Sequence, residues 1–86
     1  MAGGKTPKQK VKTKELVDEV KDGTGKKKRK LYEVTVSYIP DGDLLKVYWY
    51  GEKWHRASKD DDWKKNPIFY KSFTSRDDGM EWLKAV

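Results

Sequence analysis

The chain contains no cysteine, which excludes a disulfide framework, a thiolate nucleophile and any zinc site built on cysteine sulfur. Histidine is nearly as scarce. His55 stands alone, so a metal site would lack a second imidazole, and a general base would lack an evident nucleophile and orienting group. There is no glycine-rich phosphate loop and no nuclease-like Asp followed by a carboxylate-x-Lys strand around Asp41 or Glu52. Asp60, Asp61 and Asp62 are adjacent, whereas a hard-cation loop needs oxygens at alternating positions. The expectation is a protein that is not an enzyme and holds neither metal nor cofactor. Long apolar runs are missing as well. The longest, residues 47–50, is far short of a membrane span, and no apolar segment follows the basic start as a signal peptide requires. Mean hydropathy is −1.06. These absences point to a soluble intracellular protein without a membrane partner, cytoplasmic or nucleoid-associated, or nuclear if it comes from a eukaryote or its virus.

What is present is charge and aromatic area. Charged residues make up 40% of the 86 positions and aromatics 13%, so the core is small and each core position must bury a large side chain. The charge is unevenly placed. Residues 1–30 hold eleven basic side chains against four acidic ones, while residues 31–86 are close to neutral. The basicity therefore reads as a property of an N-terminal arm.

Residues 31–50, LYEVTVSYIPDGDLLKVYWY, read as a β-hairpin. Pro40 presets a turn φ, Asp41 tolerates the bridge region, and Gly42 can adopt the left-handed conformation that returns the chain. Tyr32, Val34, Val36 and Tyr38 share one face of the first strand. The second strand carries apolar or aromatic groups on both faces, so it reads as central. Gly51, Glu52 and Lys53 read as a second turn, followed by a short strand end at Trp54. Residues 68–73 read as the third strand. Thr74 or Ser75 caps a helix with Asp77 and Asp78 in its first turn, and Gly79, Trp82, Leu83 and Val86 fall on one helical face.

Upstream, residues 1–12 alternate Lys with Gly, Thr, Pro and Gln and read as a disordered basic arm. Thr13 can N-cap a short helix over 13–21, with Leu16, Val17 and Val20 as its stripe. Residues 26–30 follow as a basic linker: Lys26, Lys27, Lys28, Arg29 and Lys30. The expected fold is α+β, one antiparallel sheet of three strands with room for a short fourth, packed on a C-terminal helix. Its domain is residues 31–86, and its core is Tyr32, Val34, Val36, Leu45, Val47, Trp49, Phe73, Trp82 and Leu83.

The run of five cations suits phosphate binding, or nuclear import in a eukaryotic or viral setting. Lys46, Tyr48 and Tyr50 interleave basic and aromatic groups on one strand face, with Arg56 and Lys71 as neighbours, a pattern that can stack unpaired bases or enter a groove. The C-terminal segment FYKSFTSRDDGMEWLKAV, through Lys71, Phe73, Ser75, Trp82 and Leu83, resembles the arm-binding N-terminal domains of phage and transposon tyrosine integrases. In those, a last strand ending Lys-x-Phe-x-Thr precedes an acidic-capped helix with an Ala and Trp stripe. The plant ethylene-response DNA-binding domain has the same build, and the substrate-binding domain of eukaryotic ribonuclease H has a similar strand-to-helix step. The resemblance implies a sheet that lies in the DNA major groove. This chain departs from it in having Gly79 where the family has Ala and in lacking basic residues on strand one.

Two functions are expected. The first is non-enzymatic nucleic-acid binding by a monomer, DNA over RNA, with the basic run on phosphates and Tyr48, Tyr50 and Arg56 reading or stacking. The second is a small protein-interaction module of the kind phages use as inhibitors or adaptors, meeting a protein partner through the aromatic face and the Asp-rich loop at residues 60–62.

Overall fold

The computed structural model describes residues 9–86. They form β1 (Gln9–Lys21), β2 (Lys27–Ile39), β3 (Leu44–His55), β4 (Phe69–Phe73) and α1 (Arg76–Lys84). The strands make one antiparallel sheet in the order β1-β2-β3-β4, so the protein is a small α+β fold with four strands and one helix.

The main departure from expectation is β1. Residues 13–21 form a strand, not a helix, and Gln9 to Lys12 belong to the same strand instead of a disordered arm; residues 1–8 lie outside those described. Lys10, Val11, Lys12, Thr13 and Lys14 alternate with period two, and an isolated helix of nine residues would be marginal. The apparent helical stripe has a specific cause. The register against β2 shifts between Leu16 and Asp18, so Val17 is an extra, bulged residue. A bulge adds one residue to a period of two. It brings Val17 and Val20 to the same side of the sheet, where both pack on the core.

The expected linker is also sheet. Lys27 to Lys30 open β2, and the turn before them is tied by Asp22, whose carboxylate accepts hydrogen bonds from Thr24 Oγ1 at 2.8 and 2.9 Å and from the Lys27 amide at 3.3 Å. Gly25 takes φ +70° there. The chain reverses around Pro40 and Gly42 as the sequence reading expects, but Pro40 is the middle of three residues between Tyr38 and Gly42 and not the first central residue of a tight turn. Gly42 has φ +77°, its amide donates to the Tyr38 carbonyl at 2.6 Å, and the peptide before Pro40 is cis. Residues 51–53, expected as a turn, continue β3.

The helix begins as its sequence dictates. Ser75 is extended at φ −129°, ψ 144°, and its hydroxyl accepts from the Asp78 amide at 3.1 Å. Asp77 and Asp78 lie in the positive first turn. The helix sets its Leu83 against Leu31 and Phe73 of the sheet, with Val17, Val20 and Trp49 and its own Met80 and Trp82 around them. Two glycines let it approach. A Cβ on Gly79 would lie 2.9 Å from Leu31 Cδ1, and one on Gly51 would lie 2.5 Å from Trp82 Cζ3. Phe73 and Trp82 meet at 5.5 Å between ring centroids.

Leu31 is fully buried yet was not expected in the core, whereas Leu45, which was, is 44% exposed. The register explains Leu45. Val36 pairs with Lys46 and Ser37 with Leu44, so Leu45 is the extra residue of a second bulge. Val34 and Val36 are buried, but by alternation they lie on the face opposite Leu31 and the helix.

Candidate nucleic-acid interface

The helix covers one face of the sheet. The other face can be read from the register. It carries Lys10, Lys12, Lys14, Leu16, Glu19 and Lys21 from β1 and Lys28, Lys30, Tyr32, Val34 and Val36 from β2. From β3 and β4 it carries Lys46, Tyr48, Tyr50, Glu52, Trp54 and Tyr70. Seven lysines thus share this face with two glutamates. Acids collect on the other side: Glu15, Asp18 and Glu33 on the strands, and Asp77, Asp78 and Glu81 on α1.

An aromatic ladder crosses the open face. The rings of Tyr32 and Tyr50 are 6.4 Å apart, and those of Tyr50 and Tyr70 stack at 5.5 Å. The Lys14 ammonium lies 4.3 Å from the Tyr32 ring centroid and 5.4 Å from that of Tyr50. Beneath the ladder is Glu52, only 5% exposed. Lys14 Nζ stands 3.7 Å from its carboxylate, and the Trp54 indole donates to Glu52 Oε1 at 3.2 Å. Burial first, and then the Glu52 carboxylate, which accepts a hydrogen bond from the Tyr32 hydroxyl, push that phenol up to about 12. Tyr50 is pushed up to about 12 as well, again by burial first and Glu52 second. Both phenols therefore remain neutral hydrogen-bond donors at physiological pH.

Val34 and Val36 are buried although, among the described residues, no helix or strand packs over them. In the register they are flanked by Lys14 and Tyr48, and by Lys12 and Lys46. Lysine stems lie along apolar surface while the ammonium stays in water, so burying these valines lifts the charges above the sheet. Lys10, Lys12 and Lys46 are exposed, and no carboxylate pairs with them among the described residues.

The residues expected from the sequence divide between places. Lys46, Tyr48, Tyr50 and Lys30 lie on the open face; Lys46 lies 5.4 Å from the Tyr48 ring and Lys30 lies 5.0 Å from that of Trp54. Lys28 shares the face but is buried, held 3.1 Å from Glu19 and 4.2 Å from the Trp63 ring. The run at 26–30 is therefore no single patch, because strand alternation sends its members to opposite sides. Lys27 and Arg29 point to the helix side. Arg29 Nη1 donates to the Trp82 carbonyl at 2.6 Å and lies over the Trp82 ring at 4.8 Å, which ties down the last turn of α1. Lys26 sits in the β1–β2 turn, its carbonyl accepting from the Arg56 amide at 2.8 Å. Arg56 is occupied structurally: Nε donates to the Gly25 carbonyl at 2.7 Å, Nη1 to the Asp61 carbonyl at 3.1 Å, and its guanidinium covers Trp63 at 4.1 Å. Lys71, opposite Gly51, is on the helix side.

Sequence reasoning missed Lys10, Lys12, Lys14, Tyr32 as a ladder member, Glu52 and Tyr70. The signal for the lysines was their strict two-residue spacing. Glu52 and Tyr70 gave none, because their partners come from other strands. Comparison with known protein families, curated proteins and solved structures finds no match for this chain.

Proposed function

We propose that the protein binds nucleic acid, without catalysis, through the open face of its sheet. The observation that carries this reading is the segregation of lysines onto a face that no helix covers, with Lys10, Lys12 and Lys46 exposed and unpaired among the described residues. Phosphates supply most of the nonspecific affinity of such proteins, and each neutralised phosphate releases counterions. The neutral Tyr50 hydroxyl adds a donor beside the charges.

Replacing Lys10, Lys12 and Lys46 together with glutamine tests it. The slope of log affinity against log salt should fall by about 2–3, since each phosphate contact contributes about 0.7–0.9. Replacing Lys27 and Lys71, which lie on the helix side, should leave the slope unchanged. Equal effects of the two sets would refute the assignment of the face. A protein partner is the second reading, favoured by Leu44 and Leu45, 64% and 44% exposed where β3 runs beyond β4. Binding to such a partner through apolar contacts should change little with salt.

A further inference from the structure

The open face differs in width and in the state of its rings along its length, and both bear on which nucleic acid it fits. At the tyrosine ladder the sheet is four strands wide. Four strands span about 14 Å between outer axes, already more than the roughly 12 Å width of the B-DNA major groove. A face of that breadth keeps Tyr32, Tyr50 and Tyr70 from the base edges of a duplex, whereas at Tyr48 the sheet narrows to three strands. The rings can reach bases that are unpaired and lie flat across the sheet.

The rings themselves are unequal. Tyr32 and Tyr50 are engaged with one another and beneath Lys14, so they form a scaffold with no vacant plane. Tyr70 is different. One side of its ring stacks on Tyr50, the residue is 52% exposed, and β4 is the sheet's edge, so among the described residues no strand lies beyond its other side. Tyr48 is also marginal. The pairing of β3 with β4 ends at Trp49 opposite Phe73, which leaves the outer flank of Tyr48 uncovered by a strand. Lys10, Lys12 and Lys14 run straight along the opposite edge, recurring about every 6.8 Å, twice the strand rise. A backbone with one phosphate per nucleotide can follow that row; a base pointing across Val34 from Lys14 meets Tyr48, and Tyr70, level with Glu52 and Lys30 in the register, takes a base farther along the same strand.

We infer that the ligand is single-stranded nucleic acid, with its phosphates on the β1 lysine row and its bases stacked on Tyr48 and Tyr70. This rests on the open-face reading above and narrows it to a substrate class.

The test uses fluorescence anisotropy with labelled oligothymidine and with the oligothymidine·oligoadenosine duplex of the same length, at matched salt. The single strand should bind at least about tenfold more tightly, because stacking adds to the phosphate contacts that both probes share. Tyr48→Leu and Tyr70→Leu keep apolar bulk and remove the ring. Each should weaken the single strand by roughly 5- to 150-fold, the equivalent of one stacked base, without altering the salt slope. Circular dichroism confirms that each variant is folded. Equal affinity for the duplex, or folded tyrosine variants that bind the single strand as wild type does, would overturn the single-strand inference and leave the lysine face standing. Failure to bind either probe at low salt would remove both.

Discussion

Replacing Gly51 with alanine probes whether the helix is seated on the sheet as described. A Cβ built at this position lies 2.5, 2.8 and 2.9 Å from Cζ3, Cη2 and Cε3 of Trp82. Ordinary contact between carbons is about 3.5–4.0 Å, so the ring must retreat by about 1 Å. It has little freedom to do so. Phe73 lies against it at 5.5 Å, the Arg29 guanidinium covers it at 4.8 Å, and Arg29 also holds the Trp82 carbonyl at 2.6 Å. Lifting the helix instead would open the contact between Gly79 and the fully buried Leu31. Overpacking of this kind costs about 1–3 kcal/mol. Alanine also narrows the unfolded ensemble, a gain of about 0.4–1 kcal/mol. The net expectation is a loss of about 1–2 kcal/mol, and for a domain of this size each kcal/mol lowers Tm by about 4–8 °C. Urea and thermal denaturation measure it. Gly23→Ala is the control, since a Cβ there meets nothing within 4 Å and its φ is not positive; it should stay within about 0.5 kcal/mol of wild type. If Gly51→Ala also stayed within about 0.5 kcal/mol, Trp82 would not lie on this strand, and the reasoning would fall.

Two further outcomes are expected. Ser75→Ala removes the hydroxyl that accepts from the Asp78 amide and should cost about 1 kcal/mol in urea denaturation, whereas a neutral result would mean that the first turn of α1 is capped by other means. The phenols of Tyr32 and Tyr50 are raised to about 12; the folded state therefore keeps protons that the unfolded state has lost, so stability is full below about pH 10 and falls between about pH 10 and 12. Ultraviolet titration of the folded protein should show Tyr32 and Tyr50 ionising near pH 12, and Tyr32→Phe should reduce the alkaline loss; ionisation of both near pH 10 would contradict the ladder.

The elements legible in the sequence are those specified by neighbours in the chain. Gly42 returns the hairpin and Ser75 caps the helix through contacts that span a few residues, and turn and cap chemistry carry their own sequence signatures. What failed was wherever a bulge broke the period. At Val17 one inserted residue turned an alternating strand into an imitation of a helical stripe, and at Leu45 another moved an apparent core residue to the surface. Gly51 misled for a related reason. Glycine beside charged residues suggests a turn, but here it sits mid-strand because Trp82, thirty-one positions later, needs the space. The candidate site was half legible. Lys46, Tyr48 and Tyr50 could be grouped by period alone, whereas Glu52, Tyr70 and Lys14 join them only through pairing between strands.

The charge balance shows how much that pairing matters. Residues 31–86 are nearly neutral, which suggested that the folded part would attract phosphates poorly. The sum is right, but a ligand meets one face at a time. With Gln9–Lys21 in the sheet, its lysines join Lys30 and Lys46 on the open side, while Glu15, Asp18, Glu33 and the acids of α1 project from the opposite side. At physiological ionic strength the Debye length is about 8 Å, so exposed charges farther apart than that scarcely offset one another. The acids behind the sheet therefore weaken the field in front of it little, and a chain whose strands appear balanced in sequence presents a basic surface once folded. Neutralising Asp77 and Asp78 on α1 should accordingly change nucleic-acid affinity far less than removing Lys10 and Lys12, at equal change in net charge. Comparable effects would mean that the net charge, and not the face, governs binding.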